Sequence, residues 1–342
     1  MNPEHLDLLR QALPFINRFK NKTFVVKIGG EIADDEATLH SFCEEVALLY
    51  QVGIHVVMVH GGGKQATQLS KQLGIEPQMV GGRRITDEKT LDVVMMVFAG
   101  TINTEIIAAL REYGAEPVGI SGVDGGIINA VKRPPVKVKN EKTGQDEIVD
   151  FGHVGDIESV DPKLLEVLLA ADFVPVMASL GGDDSGNILN INADTVAAEI
   201  ASALKAEKLI LVTDVDGILR DDKSLISRVT PAEIDELIKN NVIRGGMVPK
   251  AKSAVEALKD GVQSVHIISG KKASMLLAEV FTETGSGTMI HRNNQPIKAR
   301  GRKSRAKPVA PASAKAAEGT PAPMPSSAKA TEDKPSPEAT TK

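Results

Sequence analysis

The sequence predicts an α/β fold with a mainly parallel central sheet. Three observations predict it. Residues 23–28, 36–52 and 54–59 read as strand, helix and strand with short connections, a βαβ unit whose strands must run parallel. A second set of alternating strands and helices follows between 205 and 290. Aromatics are scarce, with no Trp, two Tyr and eight Phe, so the core is aliphatic, as in Val/Ile-rich parallel sheets.

The 342 residues allow two modest domains or one large one. Cys43 is the only cysteine, which excludes intrachain disulfides and cysteine zinc clusters and fits a reducing cytoplasm. No apolar run reaches the roughly 18 residues of a membrane span. The N-terminus, with Glu4, His5 and Asp7, does not read as a signal peptide. The net charge of −5 is uneven: residues 291–342 carry 11 Lys/Arg against 4 Asp/Glu, and the body is acidic. An acidic body with few aromatics is a poor nucleic-acid binder.

Along the chain, Leu6, Leu9, Leu13, Ile16 and Phe19 mark an amphipathic helix over 3–19, with Pro14 as an expected kink. It packs on its own domain or on another subunit. Thr23 to Ile28 is a strand leading to Gly29-Gly30. Lys27 inside that apolar run either snorkels from a strand end or faces a phosphate across the glycine turn. Leu39, Phe42, Val46 and Leu49 line one face of a helix stopped by Gly53.

Val56-Val57-Met58-Val59-His60-Gly61-Gly62-Gly63-Lys64 is then strand, glycine turn and helix start. The turn is either a tight connection or an anion cradle made of free N–H groups. It matches neither the Walker A spacing nor G-x-G-x-x-G.

Val80 to Ile85 reads as a loop whose Arg83-Arg84 pair is a solvated turn or a carboxylate clamp. Thr86 or Asp87 caps a long helix to about Tyr113, and 115–120 is a strand. Val136, Val138, Ile148 and Val149 flank a hairpin turn at 140–144. His153 reads as a loop hydrogen-bonder. Asp161-Pro162 starts a helix with proline in its first position, and 173–179 is a strand.

In Asn187 to Asp194, extended alternation puts Asn190 and Asn192 on one face, a binding wall or an edge strand. Asp194 reads as the N-cap of the next helix. Leu209 to Val212 is a strand, and Thr230-Pro231-Ala232-Glu233 is a capping box. Gly245-Gly246 leads into a helix with Lys250 near its start, where the macrodipole does not favour a cation. A strand at 265–268, a helix at 272–283 and Gly285 to Ile290 complete the pattern. Beyond about Arg292 the Ala/Pro/Ser/Lys-rich tail should be disordered.

Six motifs stand in one order: Lys27-Ile28-Gly29-Gly30, His60-Gly61-Gly62-Gly63, Gly82-Arg83-Arg84-Ile85-Thr86, Asn190-Ile191-Asn192-Ala193-Asp194, Thr213-Asp214-Val215-Asp216-Gly217 and Gly246-Met247-Val248-Pro249-Lys250. Over about residues 5–290 the chain resembles the amino acid kinase family. Within it, the chain is similar to the branch that phosphorylates N-acetyl-L-glutamate under arginine control. The resemblance implies an open αβα sandwich: an oligomerisation helix at 1–20, an acetylglutamate-binding lobe at 21–204, an ATP-binding lobe at 205–291 and a tail at 292–342.

By the same resemblance, Lys27 and Lys250 are the cations on the transferring phosphoryl group, with Asp194 between them. Gly29, Gly30 and Gly62 supply N–H groups to it. Gly62, Gly63, Arg84 and Asn190 hold N-acetyl-L-glutamate. Thr213, Asp214, Val215, Asp216, Gly217 and Ile218, with Val242, Ile243 and Arg244, border ATP. Mg2+ rides on the phosphates and water, without a protein metal-ligand motif. Glu279, Gly285 and Gly287 match the arginine-site pattern, although Ser274 stands where the pattern often has His. A homodimer or hexamer, and a PII-type signalling partner, belong to the same expectation. The alternatives are a kinase for another acid and a catalytically silent arginine sensor.

Overall fold

The computed structural model describes residues 3–81, 83–139 and 145–292. Gly82, the hairpin turn at 140–144 and the tail from 293 lie outside the described residues. An eight-stranded sheet forms the centre, in the order Arg228–Val229, Thr288–Ile290, Ser264–Ser269, Lys208–Thr213, Thr23–Ile28, His55–His60, Val174–Ala178, Pro117–Ser121. Every neighbouring pair is parallel except Ser264–Ser269 with Thr288–Ile290.

Both faces of the sheet are buried, and the two-residue strand period sorts the side chains between them. Phe24, Val26, Ile28, Val56 and Met58 face the helices Glu36–Gln51 and Asn103–Glu112. Val25, Val57, Val59, Leu209 and Leu211 face the helices Ala193–Ala203 and Met247–Lys259. These are the three layers of an αβα sandwich. The period places Lys27 on the second face, with Val25.

Parallel strands all end at one edge, which is where α/β proteins hold ligands. Here that edge collects the turns after Ile28, His60, Ala178, Thr213 and Ser269. A four-stranded sheet, Ile188–Asn190, Leu180–Gly182, Ile128–Lys132, Gly155–Val160, and the expected hairpin Val136–Lys139 with Asp146–Val149 are additional to it.

Several elements differ from the sequence reading. The segment around Arg83-Arg84 is a hairpin, Met79–Val80 paired antiparallel with Arg83–Arg84, rather than a loop. The long helix is capped by Asp87, which accepts the Thr90 N–H, and contains a π-helical turn at Met96–Ile102. By length and composition alone the stretch Glu88–Glu112 would cross a bilayer, where the sequence reading found no span. Its Val93, Val94, Val97, Ile106 and Leu110 are buried in the core instead. Pro162 is the N-cap of the helix Lys163–Ala170, one place earlier than expected.

The helix Pro3–Phe19 runs through Pro14. Its end packs on its own chain: Phe19 is buried, edge-on to Phe24 with ring centroids 5.3 Å apart.

Candidate active site

Lys27, Asp194 and Lys250 come from three distant segments and meet in one ion-paired cluster. Lys27 Nζ lies 2.8 Å from Asp194 Oδ1, and Lys250 Nζ donates to Asp194 Oδ2 at 2.7 Å. Lys27 stands near the end of its strand, opposite Val59 and Leu211. Asp194 and Lys250 stand in the first turns of the helices Ala193–Ala203 and Met247–Lys259, which pack together.

The expected capping role of Asp194 is filled by Asn192, whose Oδ1 accepts the N–H groups of Asp194 and Thr195. Asp194 is thereby free to turn toward the lysines. Burial pushes its carboxyl up, but the ammonium groups of Lys27 and Lys250 outweigh that and hold it down to about 2. Both lysines are buried. Two ammonium groups converge here on one buried carboxylate, which gathers positive charge where little water screens it. Such a gathering of desolvated positive charge suits an anion. The two helix N-termini carry partial positive charge of the same sign.

The glycine turns after Ile28 and His60 lie at the sheet edge where Lys27 stands. Gly29 is the N-cap of the single-turn helix Gly30–Ala33, and Gly62 is the N-cap of Gly63–Gln72. Gln65 Nε2 donates to the Gly30 carbonyl at 2.8 Å, tying the two turns together. A Cβ at Gly62 would lie 2.4 Å from Ile102 Cδ1 and 2.9 Å from the Phe98 ring, so any larger residue there requires those side chains to shift.

Arg84 reaches back from its hairpin and donates through Nη2 to Gly63 O and to Thr67 Oγ1, both at 2.6 Å. Its Nη1 is buried without a partner. Half-burial pulls its guanidinium below the usual range. A buried guanidinium nitrogen with an unused donor fits a carboxylate. Asn190 donates to Thr86 Oγ1 at 3.2 Å, and its backbone N–H goes to His153 O, so His153 acts through its backbone, as expected of a loop residue. A separate cleft of about 600 Å3 opens between the two hairpins, beside Gly81, Arg83, Lys137 and Phe151.

The turn after Lys208–Thr213 lies on the same edge. Asp216 takes both its oxygens to Lys272 Nζ at 2.8 Å, and the Ile218 N–H goes to Thr288 Oγ1. Ile218 and Ile243 contribute their side chains to the core.

Glu279 is engaged on all sides. It lies 2.5 Å from His266 Nδ1 and accepts the N–H groups of Ser286 and Gly287. His266 Nε2 meets Lys208 Nζ at 2.8 Å and Ser264 Oγ at 2.9 Å. Burial first, then the Lys208 charge, pulls His266 down to about 4, so it is neutral. Sequence reasoning missed both Lys208 and His266. The histidine beside Glu279 comes from a strand, not from position 274. A lysine opening one apolar strand and a histidine inside the next were the available signal.

The description "amino acid kinase family" matches residues 22–269. An acetylglutamate kinase of Methanocaldococcus jannaschii is 48% identical over 85% of this chain and 97% of the relative. One from Carboxydothermus hydrogenoformans is 45% identical over 84% and 98%. Among solved structures, the N-acetylglutamate synthase of Neisseria gonorrhoeae with coenzyme A and L-arginine superposes with a TM-score of 0.71 at 30% identity. That match covers 84% of this chain and 65% of the synthase.

Proposed function

Because the chain belongs to the amino acid kinase family, we propose that it transfers the γ-phosphoryl group of ATP to the γ-carboxylate of N-acetyl-L-glutamate. The products are N-acetyl-L-glutamyl 5-phosphate and ADP, a step of arginine biosynthesis. The Lys27–Asp194–Lys250 cluster carries the reading. An ionised carboxylate is already a nucleophile and needs no general base. What the reaction demands is alignment of two anions and neutralisation of the charge that repels them.

Lys27 and Lys250 approach the transferring group from the sheet and from a helix start, while Asp194 fixes both ammonium groups. The N–H groups of Gly29, Gly30 and Gly62 complete the cradle. Arg84 Nη1 takes the α-carboxylate of the acceptor, and Gly63 and Asn190 line its acetamido side. ATP lies along Thr213–Ile218 and Val242–Arg244, on the 205–291 lobe, and the acceptor on the 21–204 lobe. Bound with ATP, Mg2+ would be held mainly through the phosphates rather than by a protein ligand set and would supply further charge neutralisation. Among the described residues no group of three His, Cys, Asp or Glu side chains could hold an ion. The setting is cytoplasmic.

Arginine control belongs to the same reading. Glu279, with Gly285 and Gly287, forms the effector site, and the synthase solved with L-arginine shares this fold. The helix at 1–20 joins dimers into a hexamer, and a PII-type protein is a further partner. A silent sensor is disfavoured by the intact lysine pair.

The test is ATP-dependent acyl-phosphate formation, trapped with hydroxylamine, using N-acetylglutamate, glutamate and aspartate, each with and without arginine. Product from N-acetylglutamate alone supports the substrate assignment. Product from another acid moves it.

A further inference from the structure

His60 precedes the glycine turn and is fully buried. Its ring is held at both nitrogens: Nδ1 lies 2.9 Å from its neighbour's carbonyl, Gly61 O, and Nε2 lies 3.0 Å from Asn103 Nδ2. The proton positions follow from the partners. Asn103 Nδ2 also donates to Val176 O at 2.9 Å, which fixes that atom as the amide nitrogen. An amide nitrogen only donates, so His60 Nε2 must present its lone pair. The single ring proton is then on Nδ1 and points at Gly61 O. Burial pulls His60 down to about 4, which keeps the ring neutral near pH 7.

Asn103 is placed for this task by backbone features. It follows directly on the π turn Met96–Ile102, and such turns gather at functional sites. Phe98 and Ile102 of that turn are the side chains against which Gly62 rests. On the other side, Gly119 leaves room for the amide: a Cβ there would stand 2.0 Å from Asn103 Oδ1.

We infer that His60 is a positioning residue that aims the Gly62 N–H into the phosphoryl site. The reason is the planarity of the peptide unit. In a trans peptide the C=O and the following N–H point in opposite directions. Holding the Gly61 carbonyl against the His60 ring therefore turns the Gly62 N–H the other way, outward from the buried ring. A donor fixed before the reaction costs no reorganisation during it. The inference rests on the phosphoryl-cradle reading given above.

The test compares two substitutions. His60→Asn places an amide N–H where Nδ1 was, whereas His60→Gln keeps a polar group only near Nε2. In the hydroxylamine assay His60→Gln should lower kcat by roughly 10- to 100-fold, with KM for ATP and N-acetylglutamate within about threefold. His60→Asn should restore most of the loss at a similar melting temperature. Equal losses in both variants, or an unchanged kcat in His60→Gln, overturn the inference.

Nitrogen-15 NMR of the imidazole supplies a reading independent of the acceptor acid. The wild-type His60 signal should show Nδ1 protonated and Nε2 bare, and the reverse tautomer overturns the inference. Failure of the wild type to phosphorylate N-acetylglutamate would sink the function and leave this arm standing.

Discussion

Glu45 Oε1 accepts the backbone N–H of Ser274 at 2.8 Å, a contact between residues 229 positions apart. Its Oε2 takes the Leu277 N–H at 3.1 Å. One carboxylate of the helix Glu36–Gln51 thus caps the helix Met275–Phe281, whose own N-cap residue, Ser274, is left-handed at φ 63° and offers no side-chain cap. Burial dominates and raises the Glu45 carboxyl above its usual range. Glu45→Ala should lower the unfolding free energy by about 2 kcal/mol, since the two charge-assisted bonds that form the cap disappear. Urea unfolding at pH 7 measures this; no change in the midpoint would mean that the cap is idle.

Lys27→Ala and Lys250→Ala should each reduce kcat by roughly 100-fold or more, because each removes a preorganised charge from the transferring group. The double substitution should fall short of the product of the two, since both lysines share Asp194. Single-turnover rates of acyl-phosphate formation give the comparison.

Asp194 gives an acid-side stability signature. Its folded carboxyl sits at about 2 against 3.8 in a free chain, so the unfolded state binds its proton first as pH falls. Its contribution, about 2 kcal/mol, is complete above pH 4 and vanishes as pH falls through 2. Glu45 works in the opposite sense: with a raised folded value, its contribution grows as pH falls toward 4.5. Asp194→Asn should flatten the decline between pH 4 and pH 2, read from urea midpoints across that range.

Arg84→Lys should raise the KM for N-acetylglutamate about tenfold and leave the KM for ATP near its starting value. Lysine keeps the charge but loses the fork that spans Gly63 O, Thr67 Oγ1 and the unpaired Nη1 direction. Initial-rate kinetics in both substrates decide it, and an equal rise in both KM values would remove Arg84 from the acceptor site.

Glu279→Gln should weaken arginine inhibition at least tenfold with kcat nearly unchanged. The carboxylate is already held by His266 and by two backbone N–H groups, so arginine must exchange partners there to bind. Arginine titrations of both proteins, followed by activity, show whether the shift occurs.

The sequence by itself determined most strands of the central sheet, the helices that flank them and the order of the site motifs. A β-branched run ending in glycines, as at Val56–Gly63, and a capping box, as at Thr230–Glu233, are local. Their chemistry is complete within a few residues, and the structure reproduces both. Lys27 was conspicuous because an ammonium group inside an apolar strand requires a reason. Local chemistry left that reason open, the family resemblance implied Asp194, and the tertiary structure shows how the two come together. The partner is Asp194, 167 residues away, made available because Asn192 took the cap. Tertiary structure alone pairs His60 with Asn103, Glu45 with Ser274, and Lys208 with His266 and Glu279. Each is a buried polar group whose cost is met only by a partner from another segment, and no local spacing encodes which segments the sheet order brings together.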